Sequence, residues 1–205
     1  MKGTPVSHVW FTADPHFGHA KVAHMRGFAD PQAMNGEICQ TWRRQVGPDD
    51  AVYLLGDIAD SDPHEALAVL ATLPGRKHLV AGNHDDVHPL HDTRFAHADM
   101  HAWLEVFETI TTFRLMKIEG VPVLLSHFPY AAWGDGLFRD GARYDQFRLP
   151  DLGTALLHGH THGAERAHGH SFHIGWDAWH ELVPEQSVAA WLRSEELLEM
   201  SPEVA

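Results

Sequence analysis

Apolar positions in the first half of the chain fall into short runs that end on small or acidic residues, with longer amphipathic stretches between them. Val6 to Ala13, rich in Val, Trp, Phe and Thr, predicts a first strand that delivers Asp14 at its end. Pro31 to Val46 reads as a helix, with Asp30 as N-cap and Pro31 at the first helical position. Ala51 to Leu55 predicts a short buried strand ending at Gly56-Asp57. Asp62-Pro63 opens a second helix that runs to about Leu73, and Pro74-Gly75 then turns the chain. Lys77 to Ala81 predicts a third strand, ending in Gly82-Asn83-His84-Asp85. This alternation is the order of parallel strands joined by helical crossovers.

The second half has a different pattern. Phe107 to Ile118 and Val121 to Leu125, joined at Glu119-Gly120, predict a β-hairpin. Thr154 to Leu157 and His170 to Ile174 read as further short strands. Ser187 to Met200 reads as a C-terminal helix, although its Val188-Ala189-Ala190-Trp191 start fits a strand equally well. With no internal repeat and no linker, one domain over 1–205 holding two packed sheets is expected. Tyr130 to Asp151 is the long irregular segment, with Gly134, Gly136 and Gly141, Arg139, Arg143 and Arg148, and the aromatics Tyr130 and Trp133. Loops of this length in compact domains tend to be functional or disordered, and this one lies between two candidate ligands, which favours function.

Composition narrows the class. A chain of 205 residues with 44% hydrophobic content can bury one sizeable core. No stretch approaches the roughly 18 apolar residues that span a bilayer. The N-terminus lacks the apolar segment of a signal peptide. Cys39 is the sole cysteine, which excludes an intrachain disulfide or a thiolate metal cluster and makes a cytoplasmic protein the expectation. A formal net charge of −13 works against a broad surface for nucleic-acid backbones. It leaves room for a small phosphorylated substrate, because bound dications invert the local sign of a site. Nineteen histidines are dispersed along the chain. His88, His91, His97 and His101 lie in one polar stretch and read as solvated side chains, so only position within a motif lifts a histidine to a candidate ligand.

Five clusters provide such positions: Asp14-Pro15-His16, Gly56-Asp57 with Asp60, Gly82-Asn83-His84-Asp85, Ser126-His127, and Gly159-His160-Thr161-His162. Each offers the oxygen and nitrogen ligands that borderline and hard divalent metals prefer. The first three follow apolar runs, where α/β proteins place ligand sites. Asp14 and His16 are two apart, which in extended backbone points both side chains the same way. If the strands bearing Asp14 and Asp57 are neighbours, both carboxylates emerge on one rim. One carboxylate can then bridge two dications roughly 3.5–4 Å apart. Asn83 supplies a neutral oxygen, and His84 beside it is available to donate a proton. His160 and His162 repeat the two-residue spacing, but His158 shares their side of an extended segment and His168, His170, His173 and His180 follow. Spacing does not choose among them.

In this order, Asp-x-His, Gly-Asp-x-x-Asp, Gly-Asn-His-Asp, Ser-His and Gly-His-Thr-His resemble the motifs of the calcineurin-like metallophosphoesterases, from Asp14 to His162. The resemblance implies a four-layer α/β/β/α sandwich of two mixed sheets flanked by helices, with a dinuclear metal centre at the rim of the sheets. Carried over by position, Asp14, His16 and His162 would hold one metal, and Asn83, His127 and His160 the other, with Asp57 bridging. His84 would be the catalytic histidine. The resemblance, unlike the spacing, selects His160 and His162 over His158. Asp60 is followed by Ser61-Asp62 where the protein-phosphatase branch has Arg-Gly, which sets that branch aside. Phe17-Gly18-His19, Arg26-Gly27-Phe28 and Ser126 to Tyr130 are more similar to small bacterial and phage phosphoesterases.

The expected function is therefore metal-dependent hydrolysis of a phosphodiester or a small phosphorylated metabolite, with a metal-bridging hydroxide as nucleophile and His84 as proton donor. Asp60 or Asp85 would orient His84, and the resemblance favours Asp60. His19, Arg26, Arg143 and Arg148 are candidate substrate contacts. The ligand set suits two ions of Mn2+, Fe or Zn2+, with manganese favoured. A nuclease of the same superfamily is an alternative, opposed by the net charge and the lack of a basic stripe. A non-catalytic metal-binding scaffold is another, opposed by the presence of all seven ligand positions and His84. The expected partner is a small phosphorylated substrate, with neither extended nucleic acid nor membrane; the sequence is silent on oligomeric state.

Overall fold

The computed structural model of the chain describes residues 7–59, 63–91, 100–135 and 143–194. Along them run β1 (Val9–Thr12), α1 (Ala20–Met25), α2 (Pro31–Gln45), β2 (Ala51–Leu54), α3 (Pro63–Ala71) and β3 (Arg76–Val80). There follow α4 (Met100–Val106), β4 (Thr109–Thr111), β5 (Phe113–Ile118) and β6 (Val121–Ser126). The chain then forms β7 (Ala155–His158), β8 (Ala167–His168), β9 (Ser171–His173), α5 (Trp176–Trp179), β10 (Val183–Pro184) and α6 (Glu185–Ser194). One five-stranded sheet has the order β10-β1-β2-β3-β4, parallel except for β10. The other has the order β5-β6-β7-β9-β8 and mixes both senses. Two mixed sheets flanked by helices match the expected architecture.

Local chemistry explains the elements that were legible. Asp30 caps α2 by accepting the N–H of Ala33 at 2.8 Å, with Pro31 at the start of the helix. Glu119 and Gly120 both have positive φ, 51° and 86°, as the tight turn between β5 and β6 requires. Val188, Ala189, Trp191 and Leu192 are buried at helical spacing, which decides for a helix in α6 over a strand. Residues 195–200 of that expected helix lie outside the described residues.

The segment read as one strand from Phe107 to Ile118 is two. Its β4 portion pairs with β3, and β5 then joins the other sheet against β6. Thr112 marks the change of sheet with no glycine or proline to announce it, so an unbroken run of strand-forming residues concealed the step. The short helices α1, α4 and α5 were also absent from the sequence reading, being too brief for a clear period.

Alternation along β2 builds two cores. Val52 and Leu54 face the helical layer, joining Met34, Ile38 and Trp42 of α2, Leu67 and Leu70 of α3, and Trp103 of α4. Ala51, Tyr53 and Leu55 face the second sheet, meeting Val123, Leu125, Leu157 and Phe172 with Val188, Trp191 and Leu192 of α6. A strand buried on both faces is what parallel sheets require. Over β7 the outer face of the second sheet is covered by the long loop: the Tyr130 hydroxyl donates to the carbonyl of Thr154 at 2.9 Å, and the Trp133 ring lies 4.4 Å from that of His158. Both loop aromatics therefore pack the loop down. Among the described residues no helix is long and apolar enough to cross a membrane.

Two histidines outside the candidate ligand set link this packing to pH. His88 and His173 are 3% and 0% exposed, and burial drives each from about 6.5 down to about 4. Below pH 6.5 the unfolded chain takes up protons at these two sites that the folded chain refuses, so their contribution to stability is full above that pH and is lost as pH drops towards 4. The expected loss is about 1–3 kcal/mol for each histidine. Between pH 7.5 and 4.5 the midpoint of denaturant unfolding should fall less in metal-free His88→Asn than in the metal-free wild type, since the variant lacks one of these groups; equal changes would contradict this account.

Candidate metal centre

β1, β2 and β3 run parallel, so the loops that follow them emerge on one rim. The first two loops stay laced together: Asp14 N donates to Gly56 O at 3.0 Å, His16 N to Asp57 O at 3.1 Å, and Phe17 N to Ile58 O at 2.9 Å. Gly56 and Gly82 bring the second and third loops into contact. A Cβ on Gly56, whose φ is +82°, would sit 2.5 Å from Gly82 Cα and 2.7 Å from His127 Nδ1, so only glycine fits.

Five expected ligands have left-handed backbone, with φ of 57° at Asp14, 49° at His16, 56° at Asp57, 72° at His160 and 52° at His162. Among the described residues only eight that are not glycine have positive φ, so this strain is concentrated at the rim. It also corrects the expectation that extended backbone aligns Asp14 with His16. The two side chains are aimed by left-handed turns at each residue.

The ligand atoms form two groups. Those of Asp14, His16 and His162 lie within 4.8 Å of one another, as do those of Asp57, His127 and His160. Asp57 faces both: its Oδ1 is 3.4 Å from His127 Nε2, and its Oδ2 is 3.7 Å from His16 Nε2. Asn83 Oδ1 and His160 Nδ1 lie 3.1 and 3.2 Å from the same His127 nitrogen. All seven expected metal residues are thus brought together.

Hydrogen bonding assigns the protons. His127 Nδ1 is 2.8 Å from the Leu55 carbonyl, so its N–H donates there and Nε2 is bare. His160 Nε2 is 3.2 Å from Asp135 Oδ1, which leaves its Nδ1 bare. His162 Nδ1 is 2.8 Å from Asp177 Oδ2, and its bare Nε2 lies 3.2 Å from His16 Nε2. His16 Nδ1 is buried without a hydrogen-bond partner. In the second group lone pairs therefore face lone pairs, a costly arrangement that a cation would relieve, and in the first the unpartnered His16 Nδ1 leaves an orphaned polar atom beside the same ligands. The donor set, all imidazole nitrogen and carboxylate or amide oxygen, fits a pair of divalent ions.

Electrostatics agree with this packing of acceptors. Burial lifts Asp14 to about 6 against the pull of His162 and His127. Burial would also raise Asp57, but His127, His16 and His84 around it outweigh that and hold its carboxyl well below the usual range. Burial sends His16 well below the ordinary imidazole value and His160 down to about 3. For His162 burial acts the same way, yet the hydrogen bond to Asp177 and the charge of Asp14 prevail and raise it.

His84 is exposed over this centre, its backbone N–H donating to Asp57 Oδ1 at 2.9 Å and its ring 5.3 Å from that of His16. It lines a cleft of about 400 Å³ together with His16, Asp57, Asn83, His160 and His162. Asp85, considered as a partner for His84, has another task. It accepts the backbone N–H groups of Asp57 at 3.1 Å, Ile58 at 2.9 Å and Gly82 at 2.7 Å, tying two ligand loops together. Burial and the charge of Asp57 push it up to about 7 despite those donors. Asp60 lies outside the described residues, as does Arg139.

His19 and Arg143, expected at the substrate, do line the cleft, and so does Lys21, which the sequence reading overlooked. Arg26 and Arg148 correct that expectation. Arg26 forks onto Asp177 at 2.8 and 2.6 Å and donates to the carbonyls of Asp14 and Pro15. Arg148 pairs with Asp135 and donates to the carbonyls of Pro129 and Arg143, each at 3.0 Å. Their side chains are 3% and 2% exposed, so both guanidiniums hold loops together beneath the cleft. Asp135 and Asp177 were missed altogether: Asp177 pairs with Arg26, 151 positions away, and Asp135 meets Arg143 and Arg148 only through the irregular fold of the long loop. His158 and His173 stack 5.2 Å apart and are absent from the cleft lining.

Comparison with known proteins matches residues 7–194 to the family model of the calcineurin-like phosphoesterases. The chain is 40% identical over 195 residues to the gene 66 protein of Mycobacterium phage D29, covering 89% of this chain and 94% of that one. It is 37% identical over 198 residues to the gene 66 protein of Mycobacterium phage L5, covering 89% and 93%. Among solved structures, the protein of unknown function AQ665 from Aquifex aeolicus shares the fold, with a TM-score of 0.67 at 22% identity over 91% of this chain and 100% of that one. With the family model matching residues 7–194, and candidate ligands for divalent metal gathered on a single rim, the chain belongs to the calcineurin-like phosphoesterase family of metal-dependent hydrolases.

Proposed function

We propose that the protein hydrolyses a phosphodiester or a small phosphorylated metabolite at a dinuclear metal centre. The observation that carries this reading is Asp57, whose two carboxylate oxygens face separate groups of candidate ligand atoms. Asp14, His16 and His162 would hold one ion and Asn83, His127 and His160 the other, with Asp57 available to both. When bound, two divalent ions, with manganese favoured, supply neutralisation of phosphoryl charge and acidification of a solvent nucleophile. His84, exposed to the cleft, delivers a proton from its ring to the departing alkoxide and recovers it from solvent. Asp60 is assigned the orientation of His84. Arg143 keeps one edge of its guanidinium on Asp135 and, with His19, faces the phosphoryl oxygens.

The test is a panel of phosphomonoester, phosphodiester, cyclic nucleotide and pyrophosphate substrates against the manganese-reconstituted protein. Hydrolysis of at least one class is expected, whereas a flat response with two metals bound would favour a non-catalytic scaffold. On the best substrate, Arg143→Ala should raise KM about tenfold with a smaller change in kcat, as loss of one charge-assisted contact made equally in ground and transition states requires. An unchanged KM would remove Arg143 from the substrate site.

A further inference from the structure

Two carboxylates stand directly behind the candidate ligands, one for each group, Asp135 buried and Asp177 half-buried. Asp177, on α5, lies 2.8 Å from His162 Nδ1 and receives both arms of Arg26. Asp135, in the long loop, lies 3.2 Å from His160 Nε2 and is gripped by Arg148 and by Arg143 Nε. Neither belongs to the five sequence clusters, and the two come from separate parts of the chain.

In both cases the carboxylate meets the ring nitrogen that does not face the centre. A neutral imidazole carries a single N–H, and an ionised carboxylate only accepts. The proton is thereby held on the outer nitrogen, and the inner lone pair is presented to whatever the centre binds. The buried guanidinium on each carboxylate fixes where that acceptor sits. Arg26 also donates to the Asp14 carbonyl at 2.8 Å, and Arg148 to the Pro129 carbonyl at 3.0 Å, two residues after His127. Each arginine, aspartate and histidine thus forms a rigid unit anchored to the backbone of a loop that carries another candidate ligand of the same group. A carboxylate needed only to neutralise its arginine would have no reason to meet a ring nitrogen, yet this happens twice.

We propose that Asp177 and Asp135 are positioning residues: Asp177 fixes the tautomer and aim of His162, and Asp135 those of His160, so that each tunes one metal position. The proposal rests on the dinuclear reading above. It makes the two metal positions separately adjustable through residues that touch no metal and no substrate.

The experiment is calorimetric titration of Mn2+ into the metal-stripped full chain. The wild type should take up two equivalents. Asp177→Asn should weaken one equivalent about 10–100-fold and leave the other within about threefold, and Asp135→Asn should do the same for the other equivalent. Pairing assigns the route. Added to His162→Ala, Asp177→Asn should cost nothing more, whereas added to His160→Ala it should weaken the remaining site in full; Asp135→Asn should show the reverse. Equal effects in both backgrounds, or both equivalents unmoved by both substitutions, would overturn the proposal. A wild type that binds no Mn2+ would overturn the dinuclear reading and this proposal with it, while two equivalents insensitive to either aspartate would overturn this proposal alone. Asp177→Asn leaves Arg26 with a weakened partner. Should it fail to fold, Arg26→Leu combined with Asp177→Ala removes both charges, and the same loss at one equivalent is expected.

Discussion

Asp57→Ala should leave the protein unable to hold either metal ion, with turnover at background. Its Oδ1 and Oδ2 face the two candidate groups from 3.4 and 3.7 Å, so truncation removes an anionic ligand from both at once. It also frees the His84 backbone N–H, which Asp57 holds at 2.9 Å, and so loosens the loop bearing Asn83. Changes one layer further out cost about 10–100-fold in metal affinity, and removal of the shared ligand should exceed that at both positions. Loss of several kcal/mol of charge stabilisation at phosphorus then corresponds to a fall in kcat/KM of more than about 10³-fold. Metal analysis after gel filtration together with the hydrolysis assay measures both. Two retained equivalents in the variant would rule out a bridging role.

His84→Ala should give the opposite pattern, with both metals kept and turnover lost. The bond from residue 84 to Asp57 is made by the backbone, so shortening the side chain leaves it in place. The ring is exposed, and its removal should change stability by no more than about 0.5 kcal/mol. A positioned proton donor contributes about 10²–10⁴-fold, so kcat should fall by that factor with KM little changed. The deficit should be largest for substrates with alkoxide leaving groups and smallest for a nitrophenolate, which departs without a proton. Full activity in a variant with two metals bound would dismiss the assigned role, and so would a deficit independent of the leaving group.

The parts of the site that were legible in the sequence share one cause. Asp14, Asp57 and Asn83 follow strands, strands have a visible pattern, and parallel neighbours deliver their ends to one rim. His127, at the end of β6, and His160 and His162, just past β7, arrive by the same logic from the second sheet. What the sequence concealed was pairing across distance. Arg26 reads as a free cation until Asp177, 151 positions later, is seen to neutralise it. Arg148 reads the same way until Asp135 is found beside it in the folded loop. Periodicity also failed where a strand-like run served two sheets in succession, at Thr112. Side-chain spacing gave the right partners for a different reason from the one assumed, because the two-residue interval at Asp14 and His16 works through left-handed turns.

Those left-handed turns set a limit on how the protein can be improved. A side chain held in that region costs roughly 1–2 kcal/mol, and five of the candidate ligands bear the cost together. Glycine at any one of them would relax the backbone while deleting a ligand, so stability and activity are opposed at those positions. A more heat-resistant version of this hydrolase would have to gain its margin elsewhere, in the two cores or on the surface. Selection for robustness alone would erode the rim first.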